Sequence, residues 1–374
     1  MSITLDNASA NDVLSDAMTS ELGLICEGEY FHVRCYAHIL NLVVQDGLKK
    51  IVDSVIKVRD TVKYCKGSQA RRQRFLDYAD HNDLDCARGL RQDVPTRWNS
   101  TYLMLENALY YKKAFIHLKK VDANYIHCQT EVEWVKIEKI FRFLRVFYDV
   151  TNVFSGTLYP TANVYFPNVI KVRLLLKEEM ESADMFMQRM AKKMFEKFSK
   201  YSARFSTIIA IAVVLDPRFK YQCVEWGFKK VYGDLEGEIE LSKFKEKLET
   251  LYNAYKAQTS ASTSSSAQSK RAYPSDQGGD TIDITSDEFM TDFNSFSSEM
   301  CTGAVKSDLE MNLEEKLIPR ATNIDILYHW KTCEVRYPLL SRMAKDVLAI
   351  PISTVVLNQP SVLVVEFWIV IGAH

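Results

Sequence analysis

Apolar residues recur at helical spacing along most of this chain, and that periodicity limits its fold more than any other feature. Trp134, Ile137, Phe141, Leu144 and Tyr148 follow one another in steps of 3-4-3-4, as do Leu241, Phe244, Leu248, Leu251 and Tyr255. Each run places its side chains on one stripe of an α-helix, and such a stripe must be buried against other helices. Only 13 glycines and 9 prolines punctuate the 374 residues, beside 19 Tyr, 19 Phe and 5 Trp. That argues against a turn-rich β-sandwich and against disorder as the main state. A mainly α protein is expected.

The same reading, carried along the chain, gives further elements. Ile3 to Asp6 reads as the end of a strand, Asn7 to Leu22 as a helix with Asx or Ser caps, and Phe31 to Cys35 as a short alternating strand. From Tyr36 one long helix is expected, to about Tyr64. A polar, basic stretch with Lys66, Arg71, Arg72 and Arg74 follows, then a loop around 80–95 and a helix carrying Tyr102, Leu105, Leu109, Lys112 and Phe115. Further helices are expected at 161–182, 184–201 and 206–215, with a turn at 215–219 and another helix to about Val231. The Ser/Thr-rich run 259–275 predicts a flexible linker. Residues 276–315 hold eleven acidic side chains against a single lysine, Lys306, and predict disorder. Order is expected to return near Ile318, with a helix through Ile324, Leu327, Trp330 and Val335, a break at Pro338, and a second helix from Leu339 to Ala349.

The formal net charge of −1 hides a strong asymmetry. Residues 34–120 carry seventeen Lys/Arg against nine Asp/Glu, a balance of +8 that the acidic run cancels in the total. A basic segment containing aromatics is compatible with nucleic acid; a solvated charged face is the alternative. Eight scattered cysteines with no C-x-x-C, behind a polar N-terminal stretch, suggest reduced thiols inside a cell. Val362 to Gly372 is apolar, interrupted by Glu366, and too short to span a bilayer, so no membrane partner is expected. Nucleotide-binding, zinc-protease and serine-hydrolase motifs are missing, and no small-molecule substrate is implied.

Three stretches carry more specific information: CYAHILNLVVQDGLKKI at 35–51, DVPTRWNSTYLMLENAL at 93–109, and IDILYHWKTCEVRYPLLSRMAKDVLAIPISTV at 324–355. With LDNASAND at 5–12 and VVLDPRFK at 213–220 they stand in the order found in hAT-superfamily transposases, and the chain resembles the plant RICESLEEPER and DAYSLEEPER group among them. The resemblance implies an RNase H-like α/β lobe interrupted by a long helical insertion, a C-terminal dimerisation segment, DNA as ligand and the nucleus as workplace. On that pattern residues 1–60 are the first part of a partial RNase H-like lobe and 61–258 the helical insertion. Residues 259–317 are a Ser-rich then acidic linker, 318–356 the dimerisation segment, and 357–374 an apolar tail outside the family pattern. The BED zinc finger of full-length relatives has no counterpart in the sequence.

Strand transfer on DNA uses two divalent metals about 4 Å apart, held by carboxylates, and the resemblance implies an Asp-Asp-Glu set for them. Asp6 matches the second Asp. No counterpart of the first is expected in the five residues ahead of it, and Glu366 stands in the wrong context to be the third. The expectation is a domesticated or degenerate relative with Asp6 as a relic, no resident metal or cofactor, and no transposition chemistry. Part of an active transposase, or a helical interaction scaffold that does not touch DNA, are the alternatives.

The remaining site residues divide by chemistry. Arg71, Arg72, Arg74, Arg97, Trp98 and Asn99 are candidates for DNA contact. Arg97 could hold a phosphate or pair with Asp93; Trp98 could stack on an extruded base or be a core residue at a helix start capped by Asn99 or Ser100. Cys35 and His38 match a family C-x-x-H motif. Together with Cys26 and His32 they invite a zinc reading, but a buried thiol and a hydrogen-bonded imidazole are favoured, since four ligands would have to converge. Leu327, Trp330, Tyr337, Leu340, Met343 and Leu348 are candidates for self-association, with intramolecular packing as the alternative.

Overall fold

A computed structural model describes residues 2–49, 52–156, 159–202, 207–266 and 306–354. It is mainly helical. The described strands form one two-stranded parallel sheet: β1 (Ile3–Leu5) pairs with β2 (His32–Arg34) in the register Ile3 to His32, Thr4 to Val33 and Leu5 to Arg34. The crossover between them is α1 (Ser9–Glu21), as a parallel pair requires. No side chain caps α1 from its N-cap residue, Ala8. Asp6, two residues earlier, accepts from Ala8 N at 3.0 Å and from Asn11 Nδ2 at 2.6 Å, which replaces the cap expected from Asx or Ser.

The long helix expected from Tyr36 is two helices, α2 (Tyr36–Leu48) and α3 (Val52–Lys66), the first ending in a C-cap at Lys49. The stretch expected to be polar and irregular is α4 (Gln69–Asp80), opened by Ser68, whose Oγ accepts from Arg71 N. Phe75 and Ala79, one turn apart, bury its inner face. Helices α5 (Trp98–Tyr110), α6 (Lys112–Val121) and α7 (Glu131–Phe154) follow. The Trp134 stripe lies on α7, which starts with a reciprocal capping box between Thr130 and Glu133.

Next come α8 (Ala162–Met180), α9 (Met185–Ser202), α10 (Thr207–Val214), α11 (Lys220–Tyr232) and α12 (Asp234–Ser266). Helix α10 is buried all round from Ile208 to Val214, which explains why its sequence is apolar without a stripe. It packs on α8 and α11 and reaches the C-terminal segment. Gly233 ends α11 at φ +83°, a left-handed C-cap that glycine adopts without a Cβ penalty.

The expected linker boundaries shift at both ends. Helix α12 continues to Ser266, with Thr259 and Ser260 hydroxyls bonded back to Tyr255 O and Lys256 O. The acidic stretch closes with α13 (Asp308–Glu314), whose Ser307–Glu310 capping box satisfies its first turn. The rest of the expected linker, and the apolar tail with Glu366, lie outside the described residues. Helices α14 (Ile326–Thr332) and α15 (Pro338–Leu348) complete the fold, and Pro338 starts α15 instead of merely breaking the chain.

Acidic residues expected to be free are instead built into this end. Asp308 Oδ2 accepts from the backbone N–H groups of Leu339 and Leu340 at the start of α15. Glu315 meets the fully buried Lys220 ammonium at 3.2 Å, the Tyr337 hydroxyl at 2.6 Å and Arg336 at 2.6 Å. Burial pushes the Lys220 ammonium down, and Glu315 partly offsets that shift. One apolar cluster runs from Tyr30 through the helices to Ile352, and Ile3, Leu5 and Phe31 form a small second one.

Candidate nucleic-acid interface

Two places in the fold gather the motif residues. The first is the junction beyond the two strands. Cys35 is the N-cap of α2 and fully buried; its backbone N–H donates to Leu5 O at 2.7 Å, which sets it beside Asp6 at the end of β1. Residues 351–354 thread against the same spot. Thr4 Oγ1 donates to Pro351 O at 2.6 Å, Tyr36 N to Ile352 O at 2.9 Å, and Thr354 N and Oγ1 approach Cys35 Sγ at 3.4 and 3.5 Å. Motifs more than three hundred residues apart therefore meet at one buried sulfur. That contact gives Cys35 a structural role as an acceptor. His38, half-buried one turn along α2, is not drawn into it. Among the described residues no three His, Cys, Asp or Glu side chains are grouped to hold a metal ion.

The second place is the surface built by α4 and α6. These helices pack through the stacked Phe75 and Phe115 rings, 5.3 Å apart, and the stacked Tyr78 and His117 rings, 4.7 Å apart. The packing leaves Arg71, Arg72 and Arg74 exposed on α4 and Lys113, Lys119 and Lys120 exposed on α6. Arg71 lies over the Tyr64 ring at 4.2 Å. Lys119 donates to Tyr125 O at 3.1 Å. Asp122, just past the end of α6, is the nearby acid. The Tyr64 hydroxyl donates to it at 2.8 Å and holds its carboxyl below the usual carboxylate value against the opposing effect of burial; the Asn124 N–H and the charges of Arg74 and Arg71 add to the lowering. Arg72, Lys113 and Lys120 form no ion pair among the described residues.

The DVPTRWNS motif behaves differently from expectation. Trp98 is 2% exposed and meets Tyr102 edge-on at 6.5 Å, so it is a core residue at the start of α5 and cannot stack on a base. Tyr102 itself lies between Phe141 at 5.0 Å and Tyr148 at 4.4 Å, both nearly parallel to it. Asp93 is claimed by Arg59, whose Nε and Nη2 lie 2.8 and 2.7 Å from Oδ2, and by Thr101 Oγ1 at 2.8 Å. Arg97 therefore does not pair with Asp93 and is left exposed as the N-cap of α5. Asn99 is half-buried, with its Oδ1 unpartnered, and Ser100 Oγ bonds Arg97 O and Val94 O.

The expected self-association residues are mostly interior. Trp330, Tyr337, Leu340, Met343 and Leu348 are each no more than 2% exposed within the protomer, and Trp330 Nε1 donates to Leu215 O at 2.7 Å. Intramolecular packing accounts for these five; Leu327 alone of the six is exposed. The α6 lysines escaped sequence reasoning because a helical α4 was not expected there. Ser68 followed by Phe75 and Ala79 at helical spacing was the signal that could have shown it.

Three family models match the chain. The hAT family C-terminal dimerisation region matches residues 308–359, and the hAT-like transposase, RNase-H fold, matches 163–255. The chain belongs to the hAT transposase-related family. The third model, the ZBED1 RNase-like helical domain, matches 33–143 and so covers the α4–α6 surface. The 163–255 match falls on α8 to α12, within the segment read from sequence as the helical insertion.

The relatives of this hAT chain are plant proteins of the kind the motifs indicated. It is 36% identical over 362 residues to the zinc finger BED domain-containing protein RICESLEEPER 2 of Oryza sativa subsp. japonica, covering 94% of the chain and 50% of the relative. RICESLEEPER 3 of the same organism is 34% identical over 360 residues, with 94% and 47% covered. DAYSLEEPER of Arabidopsis thaliana is 30% identical over 329 residues, with 88% and 45% covered. The chain spans about half the length of these relatives. No described helix is long and apolar enough to cross a membrane.

Proposed function

We propose that this hAT chain is a domesticated or degenerate transposase relative that binds DNA through the α4–α6 surface, self-associates, and works in the nucleus without strand-transfer chemistry of its own. The observation that carries the DNA reading is the set of exposed guanidinium and ammonium groups at Arg71, Arg72, Arg74, Lys113 and Lys120, three of them with no carboxylate partner. Cations left unpaired on one surface are what a phosphate backbone requires, because each phosphate contact releases condensed counterions. Arg97, freed by the Arg59–Asp93 pair, is a further phosphate contact. The +8 balance of residues 34–120 supplies long-range attraction of the same sign.

The reading of an inactive relative, with the RNase H-like lobe only partly represented, rests on Asp6. It is the residue matched to the carboxylate set, and one of its oxygens is occupied by Ala8 N–H and Asn11. One carboxylate does not hold two metals. No metal or cofactor is proposed.

Gel-shift titration of duplex DNA over a salt series tests the DNA reading. Binding should weaken steeply with salt. The Arg72→Glu/Arg74→Glu variant should lose at least about tenfold in affinity and show a shallower salt slope. Unchanged affinity and slope would remove the α4–α6 surface from DNA binding. Nicking of a plasmid in Mg²⁺ or Mn²⁺, lost in Asp6→Asn, would overturn the inactive reading.

A further inference from the structure

The aromatic core of the C-terminal motif is spent inside the protomer, but one face of the same segment is not. Helix α14 turns Ile326 and Trp330 inward and has α15 as its main neighbour. On its outer side Leu327 is 38% exposed, Tyr328 64% and Val335 98%. Leu327, Lys331 and Val335 follow at steps of four, so they share one side of the segment. Three large apolar groups held in water on a single short segment are more than scattered surface residues.

We propose that Leu327, Tyr328 and Val335 form the contact through which two copies of this chain associate. This rests on the self-association reading above and names its surface. A second copy is the occupant because the face lies inside the stretch matched by the hAT C-terminal dimerisation region. The polar groups beside it suit a two-fold contact. Lys331 forms no ion pair among the described residues, and Glu334 is exposed three residues further on. An isologous interface sets the same patch against itself, so the lysine of one copy can answer the glutamate of the other. The core residues Trp330, Tyr337 and Met343 then act indirectly, by holding α14 and the turn after it in place.

Light scattering and sedimentation of the full chain over a range of concentrations test the proposal. The wild type should sediment as a dimer. Leu327→Glu/Val335→Glu should raise the dissociation constant at least about tenfold with an unchanged melting temperature. Val335→Glu alone, at a side chain that touches almost nothing, guards against misfolding and should move in the same direction. Val132→Glu, at an exposed valine on α7, should remain dimeric. A dimer that persists in both Val335 variants overturns this surface and leaves self-association standing. A wild type that is monomeric throughout overturns self-association itself.

Discussion

The α4–α6 surface and the C-terminal segment use charge in opposite ways. In the first, Arg72, Lys113 and Lys120 stand in solvent without a carboxylate. In the second, acidic residues that looked surplus are consumed by the fold: Glu310 closes the capping box of α13, Asp308 caps α15, and Glu315 neutralises Lys220. A charge count over a segment therefore does not separate a ligand surface from a structural network. What separates them is whether each charge has a partner within the protomer.

The sharpest test of that contrast is the anchor of the C-terminal segment. Trp330 is 1% exposed and gives its indole N–H to Leu215 O on the far side of the core. Trp330→Ala should cost about 3–5 kcal/mol, combining lost burial, a cavity and an orphaned carbonyl. Urea melts followed by far-UV dichroism would measure it. A loss below about 1 kcal/mol would mean that the segment is docked only loosely.

Glu315 comes next. Lys220 is 1% exposed in its side chain, so Glu315→Gln leaves a buried ammonium without its counterion and should cost about 3 kcal/mol. Lys220→Met should cost less, because Glu315 keeps Arg336 and Tyr337 and is partly solvated. Burial pushes the Glu315 carboxyl up, but the Tyr337 and Lys220 hydrogen bonds and the Lys220 and Arg336 charges hold it below its ordinary 4.5. Its contribution is thus fully present above pH 4.5 and is lost as pH falls through the lower folded value. Glu315→Gln should flatten this part of the acid limb of stability against pH. An acid limb identical to wild type would remove Glu315 from it.

Much of this architecture was legible from apolar spacing. The stripes at Trp134 and Leu241 became α7 and α12, and the short strands at Ile3 and His32 were visible from alternation. The family motifs were visible too, but the depth of their side chains was not. Trp98 offered a stacking ring or a core ring at the same position, and only the neighbours contributed by α7 decide between them. Helix α4 was obscured because three arginines surround its two buried positions, so its composition reads as loop while its period is helical. The Cys35–Thr354 meeting involves partners over three hundred residues apart, and no local pattern records it.

The smallest predicted effects lie on the α4–α6 surface, where the comparison is most easily broken. Arg72 makes no ion pair among the described residues, so Arg72→Ala should change stability by no more than about 0.5 kcal/mol. Arg71, one residue earlier, covers the Tyr64 ring, and its removal should cost about 0.5–1 kcal/mol of cation–π contact. Both substitutions should weaken DNA binding by similar factors, since a phosphate responds to the charge and not to what lies beneath it. Thermal melts and gel shifts on the two variants separate the roles. If Arg72→Ala destabilised the fold as much as Glu315→Gln, the surface would be a structural network like the C-terminal one, and its unpaired charges would lose their significance as a binding signal.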